Sequence, residues 1–132
     1  MYKVVAHYQD GRLIKGLTAD FTPNKDRFTI LLSEVSAGTP PWLVLMTDLK
    51  GLFFVKDLDG DLGHAKSNLF ELTDLTPGRR IRIQFRDGET MNGVTQGYSP
   101  DRIGFFVVPA DRKSNTERAY IITAATSQVS FL

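Results

Sequence analysis

At 132 residues, with 42% hydrophobic and 23% charged side chains, the chain has room for one mid-sized domain or two very small ones. It has no cysteine, which excludes a disulfide framework and a thiolate metal site, and no apolar run approaches the ~18 residues of a membrane helix. The formal net charge of +1 hides an asymmetry: residues 1–77 carry 8 Lys+Arg against 10 Asp+Glu, whereas residues 78–132 carry 8 against 5, and seven of those eight are Arg. No basic-then-apolar stretch resembles a signal peptide, so the expected location is cytoplasmic, without a membrane partner.

The first predicted strand covers residues 3–8, with Val4, Ala6 and Tyr8 on one face at the period of two that marks a half-buried strand. Asp10-Gly11 follows, and Asp-Gly between alternating runs signals a tight hairpin because the turn needs positive φ. The return strand, 12–21, holds Gly16 in its middle, which marks a bulge or sharp bend and hence a strongly curved sheet. A turn at Pro23-Asn24 leads to a third strand at 27–32, and residues 33–41 form a polar loop. Strands at 42–47 and 51–56, about four residues apart, are expected to pair as a hairpin.

Residues 57–78 read as an acidic linker. Asp57, Asp59 and Asp61 have the opening spacing of an EF-hand loop, but position six is Leu62 and position twelve is Asn68, where such a loop needs Gly and Glu. His64 reads as exposed, and the Leu and Phe of 67–75 are expected to dock on the flanking units.

The pattern then begins again. Displaced by 77 positions, residues 2–55 fall on 79–132 without a gap, and eight of 54 positions are identical where chance gives roughly three. The matches include Asp10-Gly11 with Asp87-Gly88, Gly16 with Gly93, Thr18 with Thr95, Pro23 with Pro100 and Phe28 with Phe105. Strands are predicted at 81–86, 89–98, 104–108, 119–123 and 128–132. In the first of these Ile81, Ile83 and Phe85 point inward, and Arg82, Gln84 and Arg86 point outward. The expected class is all-β: a tandem duplication of a five-stranded antiparallel small barrel, with repeats at 1–56 and 79–132. A unit of this size is marginal alone, so the two are expected to pack about a pseudo-two-fold axis over a shared apolar interface.

Asp10-Gly11-Arg12, Gly16, Phe21, Asn24 and Ile30-Leu31-Leu32 resemble the first motif of the Sm-like, SH3-like small barrels, and the second copy keeps Asp87-Gly88, Gly93 and Tyr98. That resemblance implies RNA binding through an Asn in the second-to-third strand turn and an Arg-Gly in the last hairpin. Asn24 and Lys50-Gly51 stand in those places, whereas the second copy has Asp101 and Ser127-Gln128. A broader resemblance, to an uncharacterised bacterial domain family found beside PilZ and receiver domains, rests on three strings. They are Leu49 to Lys56, Gly97 to Phe106 and Lys113 to Arg118, and the resemblance implies a regulatory, signalling context.

Catalysis is not expected. His7 aligns with Gln84, and neither a Ser-His-Asp spacing nor an HExxH motif nor a phosphate loop occurs. No catalytic, metal or cofactor residue is assigned. The leading expectation is a non-catalytic binding or regulatory adaptor acting by protein–protein interaction, since small barrels offer strand edges for β-augmentation. Its candidate residues are Trp42, which aligns with Ala119, and the cations Arg80, Arg82, Arg86 and Arg102. A homodimer through strand edges is a further expectation, because the strand at 128–132 is apolar and needs a partner. The first alternative is an RNA- or DNA-binding Sm-like protein using Asn24, Lys50, Arg112, Lys113 and Arg118. The second is a PilZ-like cyclic di-guanylate effector using the RxxxR string Arg82-Ile83-Gln84-Phe85-Arg86. The companion (D/N)xSxxG motif is missing, because Ser99 stands five residues before Gly104.

Overall fold

The structure, a computed structural model, describes residues 1–33, 35–61 and 63–132. Its strands are β1 Tyr2–Tyr8, β2 Leu13–Thr18, β3 Arg27–Leu32, β4 Trp42–Leu45, β5 Leu49–Val55, β6 Arg79–Phe85, β7 Thr90–Thr95, β8 Gly104–Pro109, β9 Thr116–Ile122 and β10 Thr126–Phe131. All neighbours are antiparallel, and the order is β10-β6-β7-β8-β9-β5-β1-β2-β3-β4. There is no α-helix among the described residues.

Two features differ from the barrel expectation. The sheet is single and open, with β4 and β10 as its edges. The last two strands of each run do not pair with each other, so the hairpin expected of 42–47 with 51–56 is not formed. Short 3-10 turns at Met46–Asp48 and Thr123–Ala125 swing β5 away from β4 onto β1 and β9, and β10 away from β9 onto β6. The pairing order β5-β1-β2-β3-β4 is repeated as β10-β6-β7-β8-β9, and the two runs join where β5 meets β9. A two-fold axis would match the β5–β9 contact with its reciprocal, β10 on β4, but those strands are the two edges of the sheet; a single fifth-on-fourth contact is head-to-tail. The pseudo-two-fold expectation is therefore corrected.

Alternation explains how one sheet supports two cores. Successive side chains of a strand point to opposite faces. Strand β5 sends Leu52 and Phe54 into one cluster with Val4, Phe28 and Val44, and Phe53 and Val55 into a second with Ile81, Ile83 and Phe105. Strand β9 does the same with Tyr120 and Ile122 against Ala119 and Ile121. All seven residues of β5 are buried. The expected one-sided burial of β1 fails for this reason: Val5 is buried too, in the second core, whereas β6 keeps the clean alternation.

The positions shared at the 77-residue spacing do the same work twice. Gly11 and Gly88 turn with φ of 93° and 94°. Gly16 lies where β2 crosses β3 so closely that a Cβ would strike the Leu31 carbonyl, and at Gly93 it would strike Val107 and the Val108 carbonyl. The buried Thr18 and Thr95 hydroxyls donate across those crossings to the carbonyls of Thr29 and Phe106, each at 2.8 Å.

The 57–78 segment is tied down by side chains that imitate backbone. Asn68 accepts from the Asn92 amide at 3.0 Å and donates to the Thr90 carbonyl at 3.1 Å. Asn115 accepts from the Asp57 amide at 3.0 Å and donates to its carbonyl at 2.8 Å. Of the apolar residues expected to dock, only Phe70 is partly covered; Leu69, Leu72 and Leu75 are 79%, 99% and 89% exposed. Free leucines on a segment held by polar groups run against the docking expectation.

Candidate functional site

A cavity of about 990 Å³ forms a groove at the join of the two strand runs. The β2–β3 turn brings Asn24 to it, the β7–β8 turn brings Arg102, β8 brings Gly104, and the seam strand β9 brings Arg118 and Tyr120. Phe106 of β8 lies between them, and no carboxylate is among the lining residues described. The turns reach one place because β5 pairs with β9: this seats the first run's β2–β3 turn beside the second run's β8 and β9. There Phe21 meets Tyr120 and Phe106 edge-on, with ring centroids 5.4 and 6.4 Å apart.

Among the described residues neither arginine of the groove has an acceptor. Arg118 is half-buried as a residue, and its guanidinium carbon lies 4.4 Å from the Phe54 ring centroid, 4.9 Å from Phe106 and 5.6 Å from Tyr2. Neither its N–H groups nor those of the exposed Arg102 side chain donate to any described residue. Burial raises the pKa of the Tyr120 phenol, and the charge of Arg102 opposes that shift.

The groove thus unites three sequence-selected residues that had been assigned to two separate functions: Arg102 to partner binding, Asn24 and Arg118 to nucleic acid. The others lie elsewhere. Trp42 caps the first core, and its Nε1 donates to the Tyr8 hydroxyl at 3.0 Å. On the outer face of β6, Arg80 covers the Phe70 ring at 4.5 Å and Arg82 donates to Asn92 Oδ1 at 3.2 Å. Arg86, just past the strand, donates to the Ala124 carbonyl at 2.8 Å. That face holds its own chain together. Arg112 and Lys113 are exposed on the β8–β9 turn outside the groove.

Lys50 is a structural cation. Its side chain is only 10% exposed, sits 4.4 Å from the Phe85 ring centroid and donates to Asp87 and Glu89, both at 2.7 Å. Burial alone would lower its pKa, but these hydrogen bonds outweigh burial and raise it above the usual 10.5. Sequence reasoning also missed His64 as a partner: its Nε2 lies 2.6 Å from Asp111 Oδ2, which further accepts from the Ser67 amide at 3.0 Å. Asp111 is 47 residues away, and no local pattern signals it.

Among the described residues no three His, Asp or Glu side chains converge as metal ligands, and no helix is long and apolar enough to cross a membrane. Neither a curated protein nor a solved structure matches the chain. One family model does, over its whole length, and the chain belongs to that family, the family of unknown function DUF6982, matched at residues 1–132.

Proposed function

We propose that this chain is a non-catalytic binding module that captures a protein partner by adding a strand to the β4 edge of its sheet. The reading treats residues 1–56 and 79–132 as two copies of one five-stranded unit that resembles an opened Sm-like or SH3-like barrel. The observation that carries it is the seam. Where β9 meets β5, Tyr120 and Ile122 are 3% and 1% exposed. Their counterparts 77 residues earlier, Leu43 and Leu45, are 54% and 39% exposed on an edge strand, beside Leu31 at 42%. Strand β4 has the residues of a seam without its partner strand, the arrangement that β-augmentation uses. The other edge is less suited: around β10, the counterparts of the buried Val5 and Phe53 are Arg82 and Ser130. Pro40-Pro41 removes two amide donors and bounds the site on one side. Trp42 stiffens this edge from the core side.

The partner is an extended, largely apolar segment, as β5 itself is at the seam. The test uses a peptide of residues 49–56 as probe, followed by amide chemical shifts in the labelled full chain. Shifts are expected to cluster at residues 42–45 and to vanish in the Leu43→Glu/Leu45→Glu variant. Absence of shifts at β4, or equal shifts in the variant, overturns the reading.

A further inference from the structure

We infer that the groove between the two strand runs is a binding site for a nucleotide unit, a planar base carrying a phosphate. The inference stands on different residues from the β4 edge and does not depend on it. Arg118 is half-buried with its five N–H donors unused by the described protein. A guanidinium that lines a concave groove with no acceptor among the described residues suits an acceptor that arrives from outside. Arg102 opens onto the same groove, equally without an acceptor among the described residues, and Asn24 adds an amide to the lining. The exposed acids Asp101 and Glu117 adjoin the two arginines in sequence, yet neither lines the groove. Two cations with no lining carboxylate select an anion, and guanidinium groups suit phosphate oxygens.

The lining also supplies the contacts that a base needs. The Arg118 guanidinium lies over the Phe54 and Phe106 rings, with Tyr2 at 5.6 Å, and Phe106, a half-buried ring, lines the groove itself, so a planar cation and an aromatic ring are both at hand for a base. A volume of about 990 Å³ holds a dinucleotide, at the top of the range for small-ligand sites. The site exists once per chain. At the 77-residue spacing Arg118 corresponds to Pro41 and Arg102 to Lys25, so the first run has no equivalent pair.

The unit could come from a free dinucleotide or from a single-stranded nucleic acid, and calorimetry with the full chain separates them. One arm titrates the dinucleotide pUpU, the other a uridine 12-mer, both at low salt. Saturable binding in either arm supports the site and names the source. For the 12-mer, two phosphate contacts predict a slope of log K against log[salt] of about −1.4. Arg102→Ala and Arg118→Met are each expected to weaken binding at least tenfold, whereas Arg112→Ala, outside the groove, leaves it unchanged. Arg118→Lys keeps the charge without the plane and is expected to recover only part of the loss; its thermal midpoint checks that the fold is retained. No heat in either arm, or unchanged affinity in the folded Arg102→Ala/Arg118→Lys variant, overturns the proposal.

Discussion

His7 stacks on Phe53 at a ring-centroid distance of 4.1 Å. Burial, then the charges of Lys50 and Lys66, lower its pKa from 6.5 to about 4. A group whose folded pKa is depressed stabilises the fold fully above its unfolded pKa and loses that contribution as pH falls through the folded value. The window is therefore pH 6.5 down to about 4, and the gap is equivalent to about 3 kcal/mol. In His7→Gln, which installs the residue found at the equivalent Gln84, urea midpoints are expected to fall less between pH 7 and 4 than in the native chain. Equal falls would assign the acid sensitivity to other groups. The glycines make a second case at this scale. A Cβ at Gly93 collides with Val107 and the Val108 carbonyl, whereas at Gly97 nothing lies within 4 Å. Gly93→Ala is expected to cost about 1–3 kcal/mol by overpacking. Gly97→Ala is expected to be neutral, as urea denaturation of the two variants would show.

At the scale of elements, all ten strands were legible because each carries period-two alternation or lies between turn residues. The Asp10-Gly11 and Asp87-Gly88 turns and the bends at Gly16 and Gly93 were equally so, since they depend on local backbone conformation. What was not legible is pairing. Residues 42–45 and 49–55 look like a hairpin, but a 3-10 turn separates them and β5 goes to β9, a choice made by burial of Phe53 and Val55 in a core built chiefly from residues 81–121. The groove shares this cause: Asn24, Arg102 and Arg118 could be picked out as polar or charged residues, but only the seam brings them together. The 57–78 segment was misjudged because its attachment is polar. Asp111 receives His64 and the amides of Ser67 and Lys113. Burial alone would raise its pKa, yet these hydrogen bonds win and hold it below the usual carboxylate range. Asp111→Ala is expected to release the segment while sparing the sheet. Amide exchange at residues 64–70 should then accelerate at least tenfold while that of β6 and β9 is unchanged; slow exchange throughout would mean that Asn68 alone suffices.

At the scale of the whole molecule, neither strand run completes a core by itself. The first core contains Tyr120, Ile122 and Ala125, and the second contains Val5, Phe53 and Val55. Lys50, from the first run, ties down the Asp87-Gly88 turn of the second, and its contribution is retained until pH rises through its raised pKa. Cores that exchange residues cannot melt one at a time, and a run of this size buries too little surface to stand alone. The chain is therefore expected to unfold in one calorimetric transition, with van't Hoff and calorimetric enthalpies equal at about 90 kcal/mol near 60 °C. Phe53→Ala is the sharper probe, because Phe53 is encoded in the first run and buried in the second core. It should lower the single midpoint by the equivalent of about 3–5 kcal/mol without splitting the transition. Two resolved transitions, or a folded peptide of residues 1–56 by circular dichroism, would show instead that the runs are autonomous and that the β5–β9 seam only joins them.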